Sequence, residues 1–157
     1  MWSSRLLLLV ALARLASAQD GTLAKSFIRA RPFAGCYEIK VPAWTAEETR
    51  RNDLLPMRFQ LTLQLVPSSK GKGFVARSLD SRMPYTMTSS WYIDSDGALA
   101  LGWSTGYVGY RIHLTGSAQA LSGTVYYWTD TDTYPPKSAR SSINVVAHRT
   151  ECKDSTN

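Results

Sequence analysis

From residue 33 onward the chain alternates between apolar and polar side chains. Phe33, Gly35, Tyr37, Ile39 and Val41 fall on one side of an extended backbone, and Ala34, Cys36, Glu38 and Lys40 on the other. That period of two is the mark of a half-buried strand, and Pro42 ends it. The pattern is cleanest over 57–66, where Met57, Phe59, Leu61, Leu63 and Leu65 alternate with Arg58, Gln60, Thr62 and Gln64. One apolar face and one polar face fit an antiparallel sheet with water on one side, and argue against a parallel sheet covered by helices on both sides.

Six more segments read as strands: 74–79, 85–93, 98–104, 107–115, 118–129 and 141–149. Turn-forming residues separate them at 67–73, at Asp94-Ser95-Asp96-Gly97, at Thr105-Gly106, at Gly116-Ser117 and over 130–136. Asp94-Ser95-Asp96-Gly97 also resembles the start of a calcium loop, but the position that should carry the bidentate Glu is Thr105, so a structural turn is the reading. In 118–129, Leu121, Gly123, Val125 and Tyr127 alternate with Ser122, Thr124, Tyr126 and Trp128. Residues 19–32 form a lead-in that can lie across one end of the domain. Thr45-Ala46-Glu47-Glu48 has the spacing of a capping box for one short helix within 45–55. The charge run 47–53 reads as a solvated surface, or alternatively as a mobile lid.

Eight short strands with tight turns fit an all-β, antiparallel up-and-down barrel, in which closure removes the exposed edge strands. A two-sheet sandwich satisfies the same alternation. The expected core includes Phe59, Leu61, Leu63, Ile112, Leu114, Val125 and Ile143. An eight-stranded barrel can hold one small ligand or fill entirely with side chains.

The first residues change where this domain is expected to work. A basic start at Arg5, the apolar run 6–13 and Ala16-Ser17-Ala18 have the form of a signal peptide over 1–18, with a buried amphipathic helix as the alternative. The run is too short for the roughly 20 residues of a membrane-spanning helix, so no span is expected in the mature chain. The expectation is a secreted or periplasmic protein with a single domain over 33–152 and a frayed tail over 153–157. In an oxidising compartment Cys36 and Cys152, the two cysteines of the chain, would pair and tie the first strand to the last; two free thiols are the alternative.

Charge narrows the partners. The 18 Lys and Arg fall to 16 without Arg5 and Arg14, against 12 Asp and Glu, a net +4 that is scattered along the chain. Nucleic-acid binding needs a continuous basic surface and is not expected. Of catalytic signatures there is little. His113 and His148 are the two histidines, too few for a three- or four-ligand zinc site, and no Gly-x-Ser-x-Gly elbow occurs. No metal, cofactor or catalytic residue is assigned; a hydrolase built from carboxylates at strand ends is the weakest alternative.

Gly35-Cys36-Tyr37-Glu38-Ile39, with Phe33 two residues before the glycine, resembles the opening signature of the lipocalins and wider calycins, in which Gly-x-Trp starts the first barrel strand. Tyr37 stands where that family has Trp. The resemblance implies that Arg149 packs across the ring at the closed end, and that the barrel binds a small ligand without covalent chemistry. Rings are dense in the second half of the chain, and Tyr37, Trp91, Tyr110, Tyr126 and Trp128 are the candidate lining of such a pocket. Two functions follow from different classes. One is a structural or protein-interaction domain with a filled core, meeting an extracytoplasmic protein through its loops; the other is a binder of a small apolar ligand.

Overall fold

The computed structural model describes residues 23–44, 55–69, 72–80, 88–105, 107–129 and 142–152. The segment 1–18 read as a signal peptide, the capping-box pattern at Thr45, the loop 130–136, Tyr85, Met87 and the tail 153–157 lie outside them. Eight antiparallel strands close into a barrel in simple chain order: β1 (Gly35–Lys40), β2 (Arg58–Pro67), β3 (Phe74–Ser78), β4 (Thr88–Ile93), β5 (Leu99–Ser104), β6 (Val108–Ser117), β7 (Ala120–Thr129) and β8 (Ile143–Thr150). β1 pairs with β8 from Cys36↔Thr150 to Lys40↔Val146, so neither is an edge. This closure excludes the sandwich.

Alternation places the core. Tyr37, Ile39, Phe59, Leu61, Leu63, Trp91, Leu99, Leu101, Trp103, Tyr110, Ile112, Leu114, Leu121, Val125, Val145 and Ala147 all face inward and are buried. Ile143 packs against them partly buried. Leu61, Trp91, Tyr110, Ile112 and Val125 have 0% of their surface exposed. A void large enough for water beside any of them would leave accessible surface on it, so the barrel is filled at these levels.

Two departures from the expected elements have local causes. Residues 23–30 of the lead-in are helical and run into a 3₁₀ turn at Arg31–Phe33, where the sequence reading placed a helix within 45–55 alone. Leu23, Phe27 and Ala30 sit at i, i+4 and i+7, a helical stripe. Ala30 is fully buried, and the Phe27 ring meets Phe74 edge-on at 6.3 Å. At the β6–β7 hairpin the strands run on through Gly116 and Ser117, leaving a two-residue turn at 118–119, with the Ala120 amide donating to the Ser117 hydroxyl at 3.3 Å. The Asp94 turn forms as expected: Asp94 Oδ1 accepts from the amides of Asp96 (3.0 Å) and Ala98 (2.9 Å), and Gly97 takes φ 86°.

The disulfide Cys36–Cys152 is present, with Cα atoms 5.2 Å apart, and spans 116 residues of chain. On a chain-entropy model a loop of that size contributes about 4–5 kcal/mol.

Leu61→Ala should cost about 2–5 kcal/mol in equilibrium urea denaturation, because it removes a side chain with no exposed surface from a filled interior. Val66→Ala, at a position 55% exposed, should cost under about 0.5 kcal/mol. Equal losses from both would contradict the inward register of β2.

Candidate functional site

The two ends of the barrel differ. At one end the connections are 68–73, 94–98 and 118–119, and the helical lead-in meets this end through Phe27 against Phe74. Arg29 donates to the carbonyls of Asp94 and Ser95, holding that lead-in to the β4–β5 turn. At the other end the connections are 41–57, 79–87, 105–107 and 130–142.

The closed end is organised around Tyr37 and Arg149, which are register partners on β1 and β8. The guanidinium carbon of Arg149 lies 6.0 Å from the centre of the Tyr37 ring. Its nitrogens donate to the carbonyls of Pro32 (3.0 Å) and Ala34. The Tyr37 hydroxyl donates to the Ala118 carbonyl at 3.0 Å across the base. Burial pushes the Tyr37 phenol above its ordinary pKa, and the Arg149 charge opposes that shift. Gly35 makes the packing possible: it has φ +138°, and a Cβ there would stand 2.8 Å from Arg149 Nη2.

Trp91 has a second structural task. Between Leu63↔Ala76 and Pro67↔Phe74 the β2–β3 ladder is irregular. The Trp91 indole N–H reaches into this gap, donating to Gln64 O (3.0 Å) and Val75 O (3.1 Å). The Ser89 hydroxyl donates to Ala76 O nearby, where the β3–β4 pairing is short.

At the opposite end Tyr110 packs edge-on between Trp44 (5.7 Å) and Tyr127 (5.2 Å), and Phe59 meets Trp103 at 5.6 Å. Trp44 and Tyr127 are partly buried, and the Trp44 indole donates to Leu55 O at 3.0 Å. This cluster is the candidate site. Of the five residues expected to line a pocket, Tyr110 belongs to it, while Tyr37 lies at the base and Trp91 at the β2–β3 irregularity. Tyr126 and Trp128 have the opposite parity to Val125 and Tyr127, so they face outward from β7. The five therefore do not converge. The alternation along 118–129 already carried that distinction, and Trp44, Trp103 and Tyr127 are the residues that sequence reading left out of the pocket.

Titratable groups on the wall are engaged. Arg58 donates from Nε to Glu38 Oε2 at 2.6 Å, and Lys40 Nζ lies 3.2 Å from Oε1. The hydrogen bond from Arg58 is the main cause that holds the Glu38 carboxyl below its ordinary pKa. Burial pushes His113 below its ordinary value despite Asp94, whose Oδ2 is 3.8 Å from Nδ1. Among the described residues no cluster of three or more His, Cys, Asp or Glu could hold a metal ion, and no helix is long and apolar enough to cross a membrane.

Compared with family models, curated proteins and solved structures, the chain matches none. The architecture itself, a closed eight-stranded antiparallel barrel with its disulfide, is consistent with a calycin-type fold in general.

Gly35→Ala should destabilise by about 1–3 kcal/mol through backbone strain and the clash with Arg149. In the Arg149→Ala background the same change should cost less; strictly additive losses by urea denaturation would contradict direct packing. For Glu38 the folded pKa is depressed, so its stabilisation is present above the unfolded carboxyl pKa and lost as pH falls through the folded one. The urea midpoints of wild type and Glu38→Gln should differ at about pH 7 and converge toward about pH 2. A difference that persists unchanged in acid would rule out this linkage.

Proposed function

We propose that this is an exported, non-enzymatic barrel that works by non-covalent contact, and that the contact is made at the end from which 41–57, 79–87 and 130–142 depart. The observation that carries this is the contrast between the two levels of the barrel. Solvent reaches none of Leu61, Trp91, Ile112 or Val125, which leaves no room for a ligand beside them, whereas Trp44 and Tyr127 flank Tyr110 with part of each ring in solvent. Partly exposed Trp and Tyr supply apolar area and a polar tip together, the combination enriched where proteins meet partners. An extracytoplasmic protein is the partner this arrangement favours.

A second reading, lipocalin-like holding of a small apolar ligand at the same end, draws support from one specific feature. Arg149 lies beside the Tyr37 ring at the opposite, closed end, as the resemblance implies.

Native mass spectrometry of the protein from its source separates the two. A bound polypeptide supports the first reading, and a small molecule released by extraction supports the second. Either complex should be lost in Trp44→Ala and Tyr127→Ala. A complex that survives both substitutions, or a protein that carries neither kind of partner, would overturn the assignment.

A further inference from the structure

Large apolar side chains reach the surface of this protein unevenly. Seven are exposed among the described residues, and four of them, Leu23 (57%), Phe27 (43%), Ile28 (70%) and Val66 (55%), belong to one corner of the closed end. Packing defines that corner. The Phe27 ring meets Phe74, and Phe74 is the register partner of Pro67, so the helical stretch 23–30 lies against the β2–β3 hairpin beside Val66. Within that stretch Ala30 is buried and every other position is exposed. At about 100° per residue Ile28 stands about 160° around the helix from Ala30, so it faces away from the barrel and no packing within the domain accounts for it.

The same corner is basic. Neither 23–37 nor 54–79, the segments that build it, contains an Asp or Glu. Lys25, Arg31 and Lys72 are exposed there, and none of the three meets a carboxylate among the described residues. The described acids of this end are Asp94 and Asp96 in the β4–β5 turn and Glu151 after β8. Asp94 accepts from the amides of Asp96 and Ala98, and Asp96 accepts from the Ser95 hydroxyl at 3.2 Å.

We infer that this corner docks on the surface of an anionic phospholipid bilayer, with Leu23, Phe27 and Ile28 entering the boundary between headgroups and acyl chains and Lys25, Arg31 and Lys72 meeting lipid phosphates. A short helix that shows apolar side chains and cations together lies in the plane of such an interface, and each cation near the surface adds to the attraction. Two other occupants fit less well. A second copy meeting this face by two-fold symmetry would set the cations of one corner against the same cations of the other. A groove on a protein partner takes the single ridge of a helix, whereas Leu23 and Ile28 diverge by about 140° around this one. A fluid boundary accepts that spread. Docking by the closed end leaves the Trp44, Tyr110 and Tyr127 cluster at the opposite end, turned to solution, so the two surfaces do not compete.

Vesicle co-sedimentation tests the inference, using the exported protein and its variants as isolated from the producing cells. The protein should sediment with vesicles of phosphatidylcholine and phosphatidylglycerol far more than with phosphatidylcholine alone, and added salt should weaken the binding. Ile28→Ser should weaken partitioning about tenfold, the loss expected from a large aliphatic side chain no longer leaving water. Lys25→Gln and Lys72→Gln should each weaken it about fivefold. All three positions are exposed, so the barrel should keep its strand-dominated circular dichroism in each variant. Met57→Ser, at a position 60% exposed near the mouth, should bind as wild type does. Absence of binding, equal binding to neutral vesicles, or binding unchanged in Ile28→Ser and both lysine variants would each overturn the inference. So would a dimer in lipid-free solution that Ile28→Ser abolishes, which would assign the corner to a second copy.

Discussion

Everything in this barrel depends on the seam between β1 and β8. An up-and-down sheet of eight strands exposes two edges unless its ends meet, and here they meet along five consecutive register pairs, Cys36↔Thr150 to Lys40↔Val146. Three further interactions fix that seam at one end. The disulfide ties Cys36 to Cys152 just beyond the last pair, Arg149 holds the carbonyls of Pro32 and Ala34, and Tyr37 reaches across the base to Ala118. Closure, base packing and the covalent link therefore reinforce one another over a few residues at the two ends of the folded chain. Their sequence separation makes the seam a non-local contact, for which the loop-closure entropy is large.

The interior follows from closure. Inward residues of eight strands meet in one space, and here large rings occupy it. A filled barrel must also satisfy the polar atoms its rings bring inside. Trp91 does so by turning its indole N–H to carbonyls left by the irregular β2–β3 ladder, so a defect in one element supplies the partner of another. Among the described residues no buried side-chain nitrogen or oxygen lacks a hydrogen bond.

Much of the fold was legible because strand patterning is a local signal with a fixed period. The odd positions of 57–66 and the inward parity of Ile112, Leu114 and Val125 needed no tertiary knowledge. Gly35 and Arg149 were legible through the resemblance, and the structure gives the physical reason in the 2.8 Å approach that leaves no space for a Cβ. The site was less legible. Counting aromatic residues grouped Tyr37, Trp91, Tyr110, Tyr126 and Trp128, whereas depth along the barrel axis and the side of the sheet divide them among four places. Parity alone would have moved Tyr126 and Trp128 outside. Depth is different: it depends on how far each strand is shifted relative to its neighbours, and a single strand's sequence does not encode that. The helix at 23–30 was hidden because just Phe27 and Ala30 pack from it, while Leu23 is exposed.

Amide hydrogen exchange across the seam tests the central claim most directly. If β1 and β8 close the barrel, the seam-facing amides of Glu38, Lys40, Val146 and His148, which alternate with amides such as that of Arg149 that turns to Gln119 O, exchange as slowly as those of the β6–β7 ladder, because all open only with the global fold. Exchange of the β1–β8 amides on the fast timescale of exposed strand edges, with β6–β7 still protected, would show an open sheet and contradict the account.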